Sequence, residues 1–140
     1  MQENHLIKLE LQSPLVYFRA DDLPHVLAEN DEFLLCFNLD PVQSRSIEPK
    51  PDNLLCSLVF SGKKSDTGVS GADKVSLPAG KYLFTQYRSS TGHLTQEKWS
   101  ILAVEQQKNG LWERYKPTNR LFVRFLYEDY AFVTQIFRPL

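Results

Sequence analysis

Polar and apolar positions alternate over residues 6–11, with Ile7, Leu9 and Leu11 on one side and Lys8 and Glu10 on the other. A period of two predicts a half-buried strand. Ser13-Pro14 interrupts the pattern and residues 15–20 resume as extended chain. Because proline lacks a backbone donor, this is either a kinked edge strand or two short strands. Asp21-Asp22-Leu23-Pro24 supplies a capping carboxylate and a proline tolerated in the first turn, which predicts a helix through about residue 28 on Leu23, Val26 and Leu27. The apolar run 33–39 suits a buried strand or a second helical turn, and reads better as extended chain.

Residues 40–53 carry Pro41, Pro49 and Pro51 among serines and charges and read as a loop, extended and exposed around 47–51. A loop of that length suits a lid, a dimer contact or a disordered excursion. Residues 54–61 predict a strongly apolar strand. The glycines of 62–73 lack the spacing of a phosphate-cradling loop and read as a flexible hairpin-type connection.

The second half is more sharply punctuated. A short strand at 74–77 meets the tight turn Pro78-Ala79-Gly80, in which glycine can take a positive φ. The strand at 81–88 then places Tyr82, Phe84 and Gln86 on one face and Leu83, Thr85 and Tyr87 on the other. Thr95 is a candidate N-cap and Glu97 is placed to meet the helix dipole. The helix runs to Lys108, burying Trp99, Leu102, Ala103 and Gln106, and Asn109-Gly110 is expected to end it with a left-handed cap. After a connector at 111–119, residues 120–128 set Leu121, Val123, Phe125 and Tyr127 against Phe122, Arg124 and Leu126. A turn near Glu128-Asp129 leads to a last strand at 130–138, making an antiparallel hairpin. One helix in each half, with no strand–helix alternation, predicts an α+β fold with an antiparallel sheet.

At 140 residues, 42% apolar and 12% aromatic, the chain has the size and composition of a single core-forming domain. Its 16 basic residues balance 17 acidic ones, and the Lys63-Lys64 pair is followed by Asp66, so direct nucleic-acid binding is not expected. Cys36 and Cys56 lie in apolar runs and read as two buried thiols of a reducing cytosol, with a disulfide or a reactive thiol left open. The first five residues lack the basic-then-apolar order of a secretory leader, and no apolar run approaches the ~20 residues needed to span a bilayer. The expectation is a cytoplasmic protein with no membrane contact. No helix-turn-helix segment is visible, so any transcriptional role is expected to work through another protein.

Three motifs carry a resemblance: Leu77-Pro78-Ala79-Gly80-Lys81-Tyr82, the helix from Trp99 to Gly110, and Tyr127 followed by Gln135-Ile136-Phe137-Arg138-Pro139-Leu140. Together they resemble the gyrase-inhibitor-like small-molecule-binding domain, also found as the effector-binding domain of AraC-type and MerR-type multidrug regulators. The likeness covers about the last 65 residues by motif and the first 60 by element order. It implies one domain over 1–140, a curved antiparallel sheet built from two pseudo-symmetric β-α-β-β modules (about 1–73 and 74–140), and helices flanking a central groove. The family's groove glutamate stands two residues before the closing tyrosine. Counted from Tyr127 that position is Phe125, between Arg124 and Leu126. With no acid there, the pocket is expected to favour neutral, aromatic or anionic ligands over cations.

The candidate ligand-binding residues are Tyr17, Tyr82, Phe84, Trp99, Trp112, Tyr115, Arg124, Phe125 and Tyr127. Tyrosine and tryptophan suit a pocket because each joins an apolar body to a polar tip. His5, His25 and His93 are widely spaced and the cysteines lack CxxC spacing, so neither a metal nor a cofactor is expected, and nothing marks a catalytic residue. Two classes stay open: a stand-alone module that binds or senses a small hydrophobic or aromatic molecule, and an interaction module acting on a larger partner such as a topoisomerase. A small-molecule hydrolase is a third. Whether Trp99 and Trp112 face a cavity or a packed core should help separate them.

Overall fold

A computed structural model describes residues 7–20, 32–64 and 73–140. The helix expected over 21–28 and most of the glycine-rich 62–73 connection lie outside the described residues. Eight strands form one antiparallel sheet: β1 (Ile7–Leu11), β2 (Leu15–Arg19), β3 (Phe33–Leu39), β4 (Leu55–Lys63), β5 (Lys74–Leu77), β6 (Gly80–Ser89), β7 (Arg120–Glu128) and β8 (Ala131–Pro139). Their order is β1-β6-β8-β7-β3-β4-β2-β5. The described helices are a single turn, α1 (Pro51–Leu54), and the long α2 (Gln96–Trp112). The fold is therefore α+β with an antiparallel sheet, as the element pattern predicts, and the sheet is curled.

The curl follows from chain connectivity. β1 stands at one end of the sheet and β2 beside the other, yet only Gln12, Ser13 and Pro14 join them. β5 and β6 are divided the same way by Pro78 and Ala79. A three-residue link reaches at most about 14 Å, so the sheet ends must approach one another. Pairing confirms a bent ribbon: Ile7 to Leu11 match Phe84 to Gly80, and past the corner Leu15 to Phe18 match Leu77 to Lys74. Gly80, at φ 143°, supplies the corner conformation that a side chain would disfavour.

Each face of the sheet has its own core. Phe33, Phe37, Leu121, Val123, Phe125 and Ile136 pack under α2 against Trp99, Ala103 and Val104. The alternate residues Leu34, Cys36, Phe122 and Phe137 turn to the concave face, where Tyr17, Val75, Leu77 and Tyr82 join them. Gly62 on β4 permits this closure, because a Cβ there would lie 2.7 Å from Val75 Cγ2 and 3.0 Å from Tyr17 Cβ.

Thr95 caps α2 as expected, accepting from the Lys98 amide, and Glu97 lies in the first turn. The end of the helix needs correction. α2 continues past Asn109-Gly110 to Trp112, and the left-handed residue is Arg114 at φ 67°. Gly110 is instead a packing residue, since a Cβ there would meet Leu83 Cδ1 at 2.5 Å. The β7–β8 hairpin turns on Asp129 and Tyr130, at φ 51° and 62°. Two left-handed central residues match the right-handed twist of the flanking strands.

The 40–53 segment is more structured than a loop. Asp40 Oδ2 accepts from the amides of Val42 and Gln43 at 3.0 and 2.9 Å, starting a 3-10 turn at Gln43–Arg45, and α1 follows. Ile47 is exposed as expected, but Pro49 is buried. Arg138 of β8, fully buried, holds the segment down. Its guanidinium donates to the Thr118 carbonyl at 2.5 Å, Gln107 Oε1 at 2.8 Å and the Ser44 carbonyl at 3.0 Å. Gln107 of α2 in turn donates to the carbonyls of Gln43 and Ser46, both at 2.7 Å. Burial lowers the Arg138 pKa to about 10, which keeps it a cation at neutral pH.

Cys36 is buried and free, with burial pushing its pKa up to about 11. Cys56, expected to be buried, is exposed. Two register shifts between β3 and β4 break the alternation there, and much of β4 from Cys56 to Leu58 faces outward.

Candidate functional site

The concave face is organised in rows running across the strands. One row is Phe84, Phe137, Phe122, Cys36 and Phe60, each the register partner of the next. Their rings touch: Phe84 and Phe137 lie 5.0 Å apart, and Phe122 and Phe60 6.2 Å apart. Tyr82 packs edge-on to Phe137 and Phe122 at 5.8 and 6.3 Å and donates its hydroxyl to the Pro78 carbonyl at 2.5 Å. Phe84 and Phe60 keep part of their surface exposed. Phe137 and Phe122 between them are buried, so the apolar surface this row offers to solvent is that of Phe84 and Phe60.

Two residues along each strand, the next row turns polar. Gln86, Gln135 and Arg124 are register partners on β6, β8 and β7. Gln135 donates to Gln86 Oε1 at 3.1 Å and accepts from Arg124 Nη1 at 2.9 Å. On its other side Arg124 meets Glu32, the residue just before β3: Nη2 lies 3.0 Å and Nε 3.3 Å from Glu32 Oε2. Nε also donates to the Tyr17 hydroxyl at 2.8 Å, and that hydroxyl donates to Glu32 Oε2. The pair is neither sealed nor free, with the Arg124 and Glu32 side chains 18% and 19% exposed. Tyr17 is 1% exposed, and burial drives its pKa well above the usual phenol value, so its hydroxyl stays protonated. For Arg124 burial alone would act downward, but Tyr17 and Glu32 turn the balance upward and keep it charged. Lys64 Nζ stands over the Tyr17 ring, 5.4 Å from its centroid.

The nine residues marked from the sequence separate into four groups. Tyr17, Tyr82, Phe84 and Arg124 meet on the concave face. Trp99 and Phe125 belong to the core under α2, on the opposite side of the sheet. Tyr127 packs on Phe132 at 4.9 Å near the hairpin end, beside His93, whose ring contacts Phe132 and Phe125 at 5.1 and 5.4 Å. Trp112 is 86% exposed at the end of α2, and Tyr115 lies under Lys8, 5.6 Å from ring centroid to Nζ. Trp99 thus faces packed core. Trp112 instead lines a cleft of about 430 Å³ with Ile47, Leu111, Lys108 and Arg114.

Sequence reasoning missed Glu32, Gln135, Phe60, Phe122 and Phe137. Phe125 lies in the core under α2 rather than on the concave face. Glu32, just before β3, brings a carboxylate to Arg124. Phe122 and Phe137 were legible in principle, since each shares a face with Arg124 or its partner Gln135 at a spacing of two. Glu32 carried no such signal, lying between a helical pattern and an apolar run.

Among the described residues no group of three histidine, cysteine or acidic side chains could hold a metal, and no helix is long and apolar enough to cross a membrane. No family model, no curated protein and no solved structure matches this chain.

Proposed function

We propose that the chain is a small-molecule-binding module of the gyrase-inhibitor-like kind, taking a hydrophobic or aromatic ligand on the concave face of its sheet. The observation that carries this is the partly exposed aromatic row lying beside a row of fixed polar groups. Ligand sites characteristically combine an apolar wall with a few aimed polar atoms. Here the polar side chains are positioned by neighbours: Arg124 by Glu32, Tyr17 and Gln135.

Strand pairing supports the two-module part of this reading. If β1–β2 and β5–β6 are each taken as one kinked strand, exchanging the halves maps the β2–β4 pair onto β6–β8 and β3–β4 onto β7–β8. It leaves β3–β7 and the bent ribbon unchanged. The position equivalent to α2 falls at 21–31, outside the described residues. The free thiols of Cys36 and Cys56 suit a reducing cytosol.

The test is calorimetric titration with a panel of lipophilic aromatics. Saturable binding that is lost in Phe84→Ala and kept in Trp112→Ala is expected. No saturable binding across the panel would defeat the reading. A second reading, contact with a larger protein such as a topoisomerase, draws on the outward Trp112 and the exposed Ile47 beside it. Inhibition of a purified topoisomerase that disappears in Trp112→Ala would favour it.

A further inference from the structure

We infer that the concave face selects ligands bearing a carboxylate, which docks on Arg124 while an apolar body lies against the exposed surface of Phe84. This rests on the groove reading above and narrows it to one chemical class.

Donor arithmetic comes first. A guanidinium offers five N–H groups. Nε is shared between Tyr17 and Glu32, one Nη1 hydrogen serves Gln135, and one Nη2 hydrogen serves Glu32. Among the described residues one N–H on each terminal nitrogen is left over. A donor on each of two adjacent nitrogens is what a bidentate carboxylate requires. Glu32 does not occupy them, because all its contacts to Arg124 and Tyr17 converge on the single oxygen Oε2.

Charge points the same way. Among the described residues Arg124 pairs with one acid, Glu32, and the Lys64 ammonium lies over the neighbouring Tyr17 ring. An anion meets two cations there, whereas a cation adds to them. Tyr17, protonated and already donating to Glu32, offers a cation no further negative charge.

Position completes the argument. Arg124 and Phe122 alternate on one strand, as do Gln135 and Phe137, and Gln86 and Phe84. Consecutive same-face residues on a strand stand about 7 Å apart, so the polar row and the exposed edge of the aromatic row lie side by side, within reach of one ligand.

Three probes with one aryl body decide the matter: naphthoate, naphthamide and naphthylmethylammonium, titrated calorimetrically into the whole chain. Naphthoate should bind tightest, by about tenfold or more over the amide, as expected for a charge-assisted pair. Added salt should narrow the gap. Arg124→Gln should erase the preference for the carboxylate and leave amide binding in place. Glu32→Gln, which keeps Arg124 and removes the competing charge, should tighten naphthoate binding, and it decides the question if Arg124→Gln fails to fold. Equal binding of acid and amide, a preference for the ammonium, or weaker naphthoate binding in Glu32→Gln would overturn this inference while the groove stands. No binding by any of the three would overturn the groove reading beneath it.

Discussion

Replacing Arg138 by methionine removes a donor group that ties the 40–46 segment, α2 and the 118–120 turn to β8. The Ser44 carbonyl and Gln107 Oε1 each lose a partner in a buried contact, and the Thr118 carbonyl loses one in a part-buried contact. An unpaired buried polar group costs about 1–3 kcal/mol, so the two buried ones would cost up to about 6 kcal/mol if neither relaxed. Two effects reduce that sum. Methionine retains much of the apolar stem, and the cost of burying a charge disappears. Breaking buried charged networks typically destabilises by about 3–5 kcal/mol, and the lower end applies here because the Thr118 carbonyl is only part-buried and can turn to water. With a urea slope near 2 kcal/mol/M, the unfolding midpoint should fall by about 1.5 M. Urea titration followed by far-ultraviolet circular dichroism measures it. Arg138→Lys, with a charge but no planar fork, should lose somewhat less. A midpoint unchanged or raised in Arg138→Met would refute the clamp.

Three further predictions concern local geometry. Gly62→Ala should destabilise by about 1–3 kcal/mol, because the new Cβ meets Val75 Cγ2 and Tyr17 Cβ, and it should also weaken ligand binding by moving the Tyr17 hydroxyl; urea titration and calorimetry read the two effects. Burial holds the His93 pKa below its ordinary value, although the hydrogen bond between Nε2 and the Leu126 carbonyl at 2.8 Å acts the other way. The unfolded chain therefore binds that proton more readily, so the stability linked to His93 is present above about pH 6.5 and is lost as pH falls through the folded-state pKa. His93→Gln should flatten the midpoint between pH 7 and 5, and an unchanged slope would count against burial as the cause. Tyr130, left-handed and solvent-exposed in the hairpin turn, should accept glycine with a gain of about 1 kcal/mol, read as a higher thermal midpoint.

The sequence made most of the architecture legible because its punctuation is chemical. Pro14 and Pro78-Ala79-Gly80 mark the two corners of the bent ribbon, Thr95 and Glu97 mark the start of α2, and the alternation through 120–138 marks the closing hairpin. Errors arose where one residue type serves two purposes. Asn109-Gly110 has the form of a helix stop, yet Gly110 is small because Leu83 presses on it. Cys56 sits in an apolar run, yet bulges turn that part of β4 outward. The candidate site was half legible for a related reason. Period-two counting sorts Arg124 from Phe125, but it does not say which face curls inward. That depends on strand order, and strand order brings together Tyr17, Glu32 and Arg124 across as many as 107 positions of sequence. No local pattern encodes such a meeting.

The most direct measurement is an amide NMR titration of the chain with naphthoate. The account predicts saturable shifts at Gln86, Arg124, Gln135 and Phe84 on the concave face, with Ala103 and Val104 of α2 left unmoved. Shifts gathered around Ile47, Leu111 and Trp112, or none at any concentration, would contradict it.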